Sequence, residues 1–319
     1  MATLDPQKAA WEADIWASVA MYNNWFMTAA PAAFKRARNR EAASVREVFA
    51  KTIDMAVITP QLLIAEPWML SVLRMATCPP IAVDRLIGLA GIQDSLVDRM
   101  TKKGDLPPNS RPEALIAPLE RICSILNELL DYDLFPWIAT KLPPQQADLD
   151  RAIAVVTDRL SGSMANPEIR NAQEDRQLRA IGQWLDARQY NNVSSSHSCK
   201  FDTMRAGTYA FRLNVPVEKG IKKVQIPVDI VVMPMSAKEG EFPLLIEAKS
   251  AGDFTNVNKR RKEEAQKAAQ LRQSYPSKNV RFHLLLCGYF DVGYLEYEQA
   301  SQIGWTWEHR LDDLATLGL

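Results

Sequence analysis

Three ionisable residues stand where the surrounding sequence reads as core. Glu247 and Lys249 lie two apart in FPLLIEAKSAG, residues 242–252, at the end of a short apolar run that suits a buried strand. Side chains alternate along a strand, so Leu245, Glu247 and Lys249 share one face and Ile246 and Ala248 the other. Asp229 sits inside a second apolar run, QIPVDIVVM, residues 225–233. Buried charges are expensive unless they are paired or bound to a metal. Phosphodiester hydrolysis needs a nucleophilic water and a place for negative charge to develop. Mg²⁺ supplies both while binding through one or two carboxylates, waters and substrate phosphate. Asp229 and Glu247 on neighbouring strands would provide those carboxylates, with the backbone carbonyl of Ala248 as a third oxygen. Lys249 would orient or help deprotonate the attacking water and counter the charge of the pentavalent state. The competing reading is a structural Asp–Lys or Glu–Lys ion pair at a sheet end.

Two further segments carry charge in informative places. A helix starting at Asn166-Pro167 would place Leu178, Ile181 and Leu185 on its apolar stripe, and Glu174 continues that stripe inward together with Asn171. Glu168, Asp175 and Arg179 fall on its polar side. Glu174 is thus a candidate further carboxylate for the site, or else an end-of-stripe acid that reaches solvent. The run Lys259, Arg260, Arg261, Lys262 opens the helix after the Glu-Ala-Lys strand. Four cations oppose the macrodipole at a helix N-terminus, an arrangement that makes sense if a phosphate occupies that end. The preceding loop, with Thr255 and Asn256, lies between site and helix and is a candidate DNA contact.

The elements that must position these residues follow from periodicity. Residues 5–160 read as helices punctuated by prolines, with Asp5-Pro6 as a start and Trp11, Ile15, Val19 and Tyr22 at helical spacing. Trp11, Trp16, Trp25, Trp68 and Trp137 read as core. From about residue 190 the pattern turns to strands: 207–216, 224–233 and 244–249, then a helix over 257–275 and a strand over 280–287. Strand, long helix, strand makes a parallel crossover. The expected class is α/β (α+β), a helical domain over 1–160 and a domain over 161–319 with a mixed central sheet flanked by helices.

Lysine plus arginine balances aspartate plus glutamate at 38 each, so no global charge advertises nucleic acid. The balance is local: residues 255–281 hold eight Lys/Arg against two Glu. Cys78, Cys123, Cys199 and Cys287 show no CxxC spacing, and His197, His283 and His309 are equally scattered, which excludes a zinc cluster and suits reduced thiols in the cytoplasm. No signal peptide is visible, and no run of roughly 18 apolar residues marks a membrane span.

Pro227-Val-Asp229 with Glu247-Ala-Lys249 resembles the PD-(D/E)xK nuclease superfamily, the proline standing one position early. More closely, the chain resembles the XamI family of type II restriction endonucleases. The likeness lies in residues 166–178, 245–256 with 258–264, and 286–294, and more weakly in 73–81. It implies a PD-(D/E)xK core, Mg²⁺-dependent cleavage of double-stranded DNA at a palindrome, GTCGAC for this family, a homodimer to match the two-fold symmetry of the site, and a cognate DNA methyltransferase as genetic partner. Two other readings remain: a structure-specific or repair nuclease on the same core, and a catalytically retired DNA-binding module.

Overall fold

The computed structural model describes residues 6–195, 200–219, 222–255 and 257–319. His197, Cys199 and Asn256 lie outside the described residues, as do the side chains of Asn258, Lys259, Arg260 and Arg261. Ten α-helices and six strands are described: α1 (Pro6–Lys51), α2 (Pro60–Ala65), α3 (Leu70–Leu73), α4 (Val83–Ala90), α5 (Asp94–Lys102), α6 (Pro112–Glu128), α7 (Pro136–Thr140), α8 (Gln146–Ala187), β1 (Asn191–Asn192), β2 (Thr208–Lys219), β3 (Lys222–Met233), β4 (Leu244–Ala251), α9 (Val257–Ser274), β5 (Arg281–Gly288), α10 (Val292–Ala300) and β6 (Gly304–Trp307). The class is α/β, as expected.

The chain forms two compact units, Ala30–Ile169 and a second made of the residues up to Ala29 with Arg170–Leu319. The helical unit has its own core, in which Val45, Phe49, Leu63, Leu70, Leu119, Phe135 and Val156 are fully or almost fully buried. Prolines begin α2, α6 and α7, where a missing N–H costs nothing. At α2, Thr59 caps the helix by accepting from the Leu62 N–H at 3.3 Å.

Pro167 does not start a helix. It lies inside α8, which runs without interruption from Gln146 to Ala187. Proline removes one intrahelical bond there, a local cost of about 3 kcal/mol. Buried stripes on both sides of it offset that cost: Ala152, Val156 and Leu160 before, Leu178, Ile181 and Leu185 after. Pro31 sits inside α1 in the same way.

In the second unit the strands form one mixed sheet in sequence order, β1 to β6. β2–β3 and β3–β4 are antiparallel, while β4–β5 and β5–β6 are parallel. The crossover from β4 through α9 to β5 is the one the sequence predicts. One face of the sheet packs on Leu178, Ile181 and Leu185 of α8 through Ile230, Val232, Leu244 and Ile246. The other carries Val231, Leu245, Leu284 and Leu286 against Ala268 and Leu271 of α9 and Tyr294 of α10. Ile15 and Val19 of α1 join this second cluster, which is why the first residues of the chain belong with the sheet rather than with the helical stretch that follows them. Of the five tryptophans read as core, Trp137 is buried, but Trp16 is 62% exposed and meets the edge of Phe254. Helical position alone does not fix its direction.

Candidate active site

The site forms where two strand ladders fail at one residue. β3 pairs with β4 through Val232–Leu244, Val231–Leu245 and Ile230–Ile246 and stops there, so Asp229 and Glu247 face each other across parting strands. On the other side, the β2–β3 pairs Phe211–Ile230 and Leu213–Val228 flank Arg212 and Asp229, which take no part in the ladder. Arg212 has φ +52°, a left-handed conformation rare for a residue with a side chain. The kink changes which residues face which core. Before it Tyr209 and Phe211 point toward α8; after it Leu213, Val215 and Val217 point toward α9. Strained backbone of this kind gathers at functional positions.

With the ladder ended, the Ala248 N–H donates to the Asp229 carboxylate at 2.9 Å instead of to a strand carbonyl. A strand residue aims its N–H and C=O at the same neighbour, so the Ala248 carbonyl faces the same opening. Glu247 is 6% exposed and both of its oxygens accept from the Lys267 ammonium at 2.7 Å. Lys249 stands farther off, 3.5 Å from Glu247 and 3.8 Å from Glu264. Glu264, buried on α9, accepts from the Tyr294 hydroxyl at 2.5 Å. Gln177 of α8 donates to the Lys249 carbonyl at 3.3 Å and the Leu285 carbonyl at 3.2 Å, tying β4 to β5 beside the site.

Burial and the nearby Glu247 charge push the Asp229 carboxyl up to about 6, against the opposing pull of the Ala248 N–H and Lys249. The folded chain therefore holds a proton that the unfolded chain has released over the interval from about pH 4 to about 6. Stability falls as pH rises through that window and Asp229 is a net cost above it. Asp229→Asn should accordingly gain on wild type as pH increases from about 4 to about 7, by on the order of 2 kcal/mol. Denaturant melts at several pH values measure this; a constant difference would mean that Asp229 titrates normally.

The structure brings together Asp229, Glu247, Ala248 and Lys249 as the sequence indicates. Glu174 goes elsewhere: it pairs with Arg212 at 2.9 Å, as does Asp175 at 2.7 Å. Its charge still reaches Asp229 and adds to the rise of that carboxyl. The buried line of α8 runs from Ile181 to Gln177 and Gln173, so Glu174 lies at its flank. Lys262 and Thr255 are exposed, the latter's N–H donating to Asp253 at 2.8 Å, while Asn256 and the Lys259, Arg260 and Arg261 side chains fall outside the described residues. Two residues of the site, Lys267 and Glu264, are not among those that the sequence motif marks. A signal exists for Glu264 alone, because Glu264, Ala268 and Leu271 share one helical stripe with an acid at its end.

Among the described residues no three His, Cys, Asp or Glu side chains form a ready metal cage. The donors present still fit Mg²⁺, which takes one or two carboxylates and completes its shell with water and phosphate oxygens. Two carboxylates face one opening, Asp229 at a raised cost of ionisation, and Glu247 already binds a cation, the Lys267 ammonium. No helix among the described residues is long and apolar enough to cross a membrane.

Comparison with known proteins agrees with this chemistry. The family described as XamI restriction endonuclease matches residues 53–307. The type II restriction enzyme SalI of Streptomyces albus G is 47% identical over 308 residues, covering 97% of each chain. Among solved structures, protein VC1899 of Vibrio cholerae aligns over 91% of this chain and 55% of its own, with 12% identity and a TM-score of 0.28, too slight a likeness to bear on fold or function.

Proposed function

The chain belongs to the XamI restriction endonuclease family and is a type II restriction endonuclease, and we propose that it makes Mg²⁺-dependent double-strand cuts at a short palindrome from the site at Asp229, Glu247 and Lys249. The observation that carries this reading is the parting of β3 and β4 at Asp229 and Glu247, which turns two carboxylates and the Ala248 carbonyl toward one opening. Those three groups would hold the ion, which supplies Lewis acidity and lowers the cost of charge on the phosphate. Lys249, held near Glu247 and Glu264, would orient the attacking water and face the negative charge that builds on phosphorus. Gln177 would tie β4 to β5 at Lys249 and Leu285 so that this geometry does not drift. Arg212 with Glu174 would set the local field at Asp229 without binding the ion.

The palindrome GTCGAC, a homodimer acting on it, a cognate methyltransferase and a cytoplasmic setting belong to the same reading and rest on the family. Digestion of a plasmid carrying one GTCGAC site tests it. Linear product with Mg²⁺, none with EDTA, and binding with little cutting in Ca²⁺ are expected. Smearing would point to a nuclease without sequence preference, and no cutting to a retired site.

Lys259, Arg260, Arg261 and Lys262, with Thr255 and Asn256, are proposed to touch the DNA backbone. Neutralising one of the four cations should weaken binding alike on cognate and non-cognate DNA. The slope of log K against log salt should shrink by about 0.9 for each phosphate no longer neutralised. A changed sequence preference at constant slope would make these residues base readers instead.

A further inference from the structure

The lysine that the sequence motif supplies is not the one that holds Glu247. Lys267, on the inner face of α9, donates to both Glu247 oxygens at 2.7 Å and to the Pro227 carbonyl at 2.5 Å. Its ammonium is thus surrounded by three oxygens, one for each of its protons. Lys249 stands at the longer distances of 3.5 and 3.8 Å from its acids.

We propose that Lys267 is an internal counter-cation that occupies Glu247 until a divalent ion takes its place, so that metal loading is a competition with this ammonium. It rests on the reading of Asp229 and Glu247 as metal ligands. Both Glu247 oxygens that could meet an ion are engaged by Lys267, so an entering ion must share or displace it. The charges agree. Asp229, Glu247 and Glu264 against Lys249 and Lys267 leave at most one net negative charge, which is little attraction for a dication. Moving Lys267 off Glu247 uncovers a second. Pro227 lies two residues before Asp229, so its carbonyl gives the displaced ammonium a nearby acceptor on β3. Lys267 is therefore a positioning residue: it keeps a buried carboxylate paired and oriented in the metal-free protein, and sets the ion concentration at which the site fills.

Calorimetric titration of the full chain with Ca²⁺, in the absence of DNA, separates the possibilities. Lys267→Met, which nearly keeps the length of the side chain and removes its charge, should bind Ca²⁺ more tightly than wild type, by on the order of tenfold. Glu247→Gln should abolish that binding. A purely structural role for Lys267 predicts the opposite direction, because a disordered Glu247 binds an ion less well. Unchanged or weaker binding by Lys267→Met, with no binding by Glu247→Gln, overturns the competition while leaving the metal site intact. Ca²⁺ binding that survives Glu247→Gln overturns the metal reading itself. If Lys267→Met does not fold, as judged by circular dichroism, Lys267→Gln, which keeps a donor to Glu247, gives the same comparison.

Discussion

Asp229→Asn and Glu247→Gln should each abolish DNA cleavage, lowering the single-turnover rate by about a thousandfold or more, while the chain stays folded. Each substitution is nearly isosteric. The asparagine retains an oxygen for the Ala248 N–H, so the bond that bridges the parted strands persists. What disappears is charge at the point where the ion and the reacting phosphate meet. Affinity for DNA without metal should be kept or raised, because each variant removes an anion that repels phosphate. Lys249→Ala should also stop turnover but without that gain in binding, since it removes a cation. Cleavage assays paired with gel-shift titrations in EDTA read both quantities. Near wild-type cutting by any of the three variants would remove that residue from the site.

The site is legible in the sequence because its residues break a pattern. An acid inside QIPVDIVVM and an acid–lysine pair after FPLLI contradict the burial that their neighbours demand, and charge against context is visible in one sequence. The crossover β4–α9–β5 is legible for the same kind of reason, since strand and helix periods differ. Three features are not. The kink at Arg212 interrupts an alternating strand, and arginine announces no positive φ. The continuity of α8 through Pro167 depends on burial at both of its ends, which a local rule about proline does not contain. Lys267 is hidden by its surroundings: α9 opens with four cations and reads as a solvated helix, yet its inner face carries Glu264, Lys267 and Leu271 toward the sheet. The side chains that do chemistry stand out. Those that hold them in place look ordinary.

Gly288 belongs to the ordinary-looking group, and Gly288→Ala should destabilise the chain by about 3 kcal/mol or more, lowering its melting midpoint by roughly 5–10 °C. The residue ends β5 at φ +99°, a conformation that side chains rarely adopt, so the substitution is strained before any contact is considered. A Cβ there would also stand 2.1 Å from the Ala251 carbonyl oxygen, with Tyr22 at 3.3 Å. Backbone cannot yield as a flexible side chain can. The strands would have to separate at the Ala251–Gly288 pair, taking with them the Tyr289 N–H bond to the Ala251 carbonyl at 3.0 Å and the Gly288 N–H bond to Ser18 at 2.7 Å. Ala251 lies two residues beyond Lys249 on β4, so the shift reaches the site and activity should fall along with stability. Gly293→Ala is the control. Its added methyl meets nothing closer than an Asp291 oxygen at 3.5 Å, and it lies within α10, where alanine is the better helix former. It should melt at or above the wild-type temperature and cut normally. If Gly288→Ala melted like Gly293→Ala, β4 and β5 would have to relax at their ends without cost, and the close approach that fixes Lys249 would not be what holds the site in register.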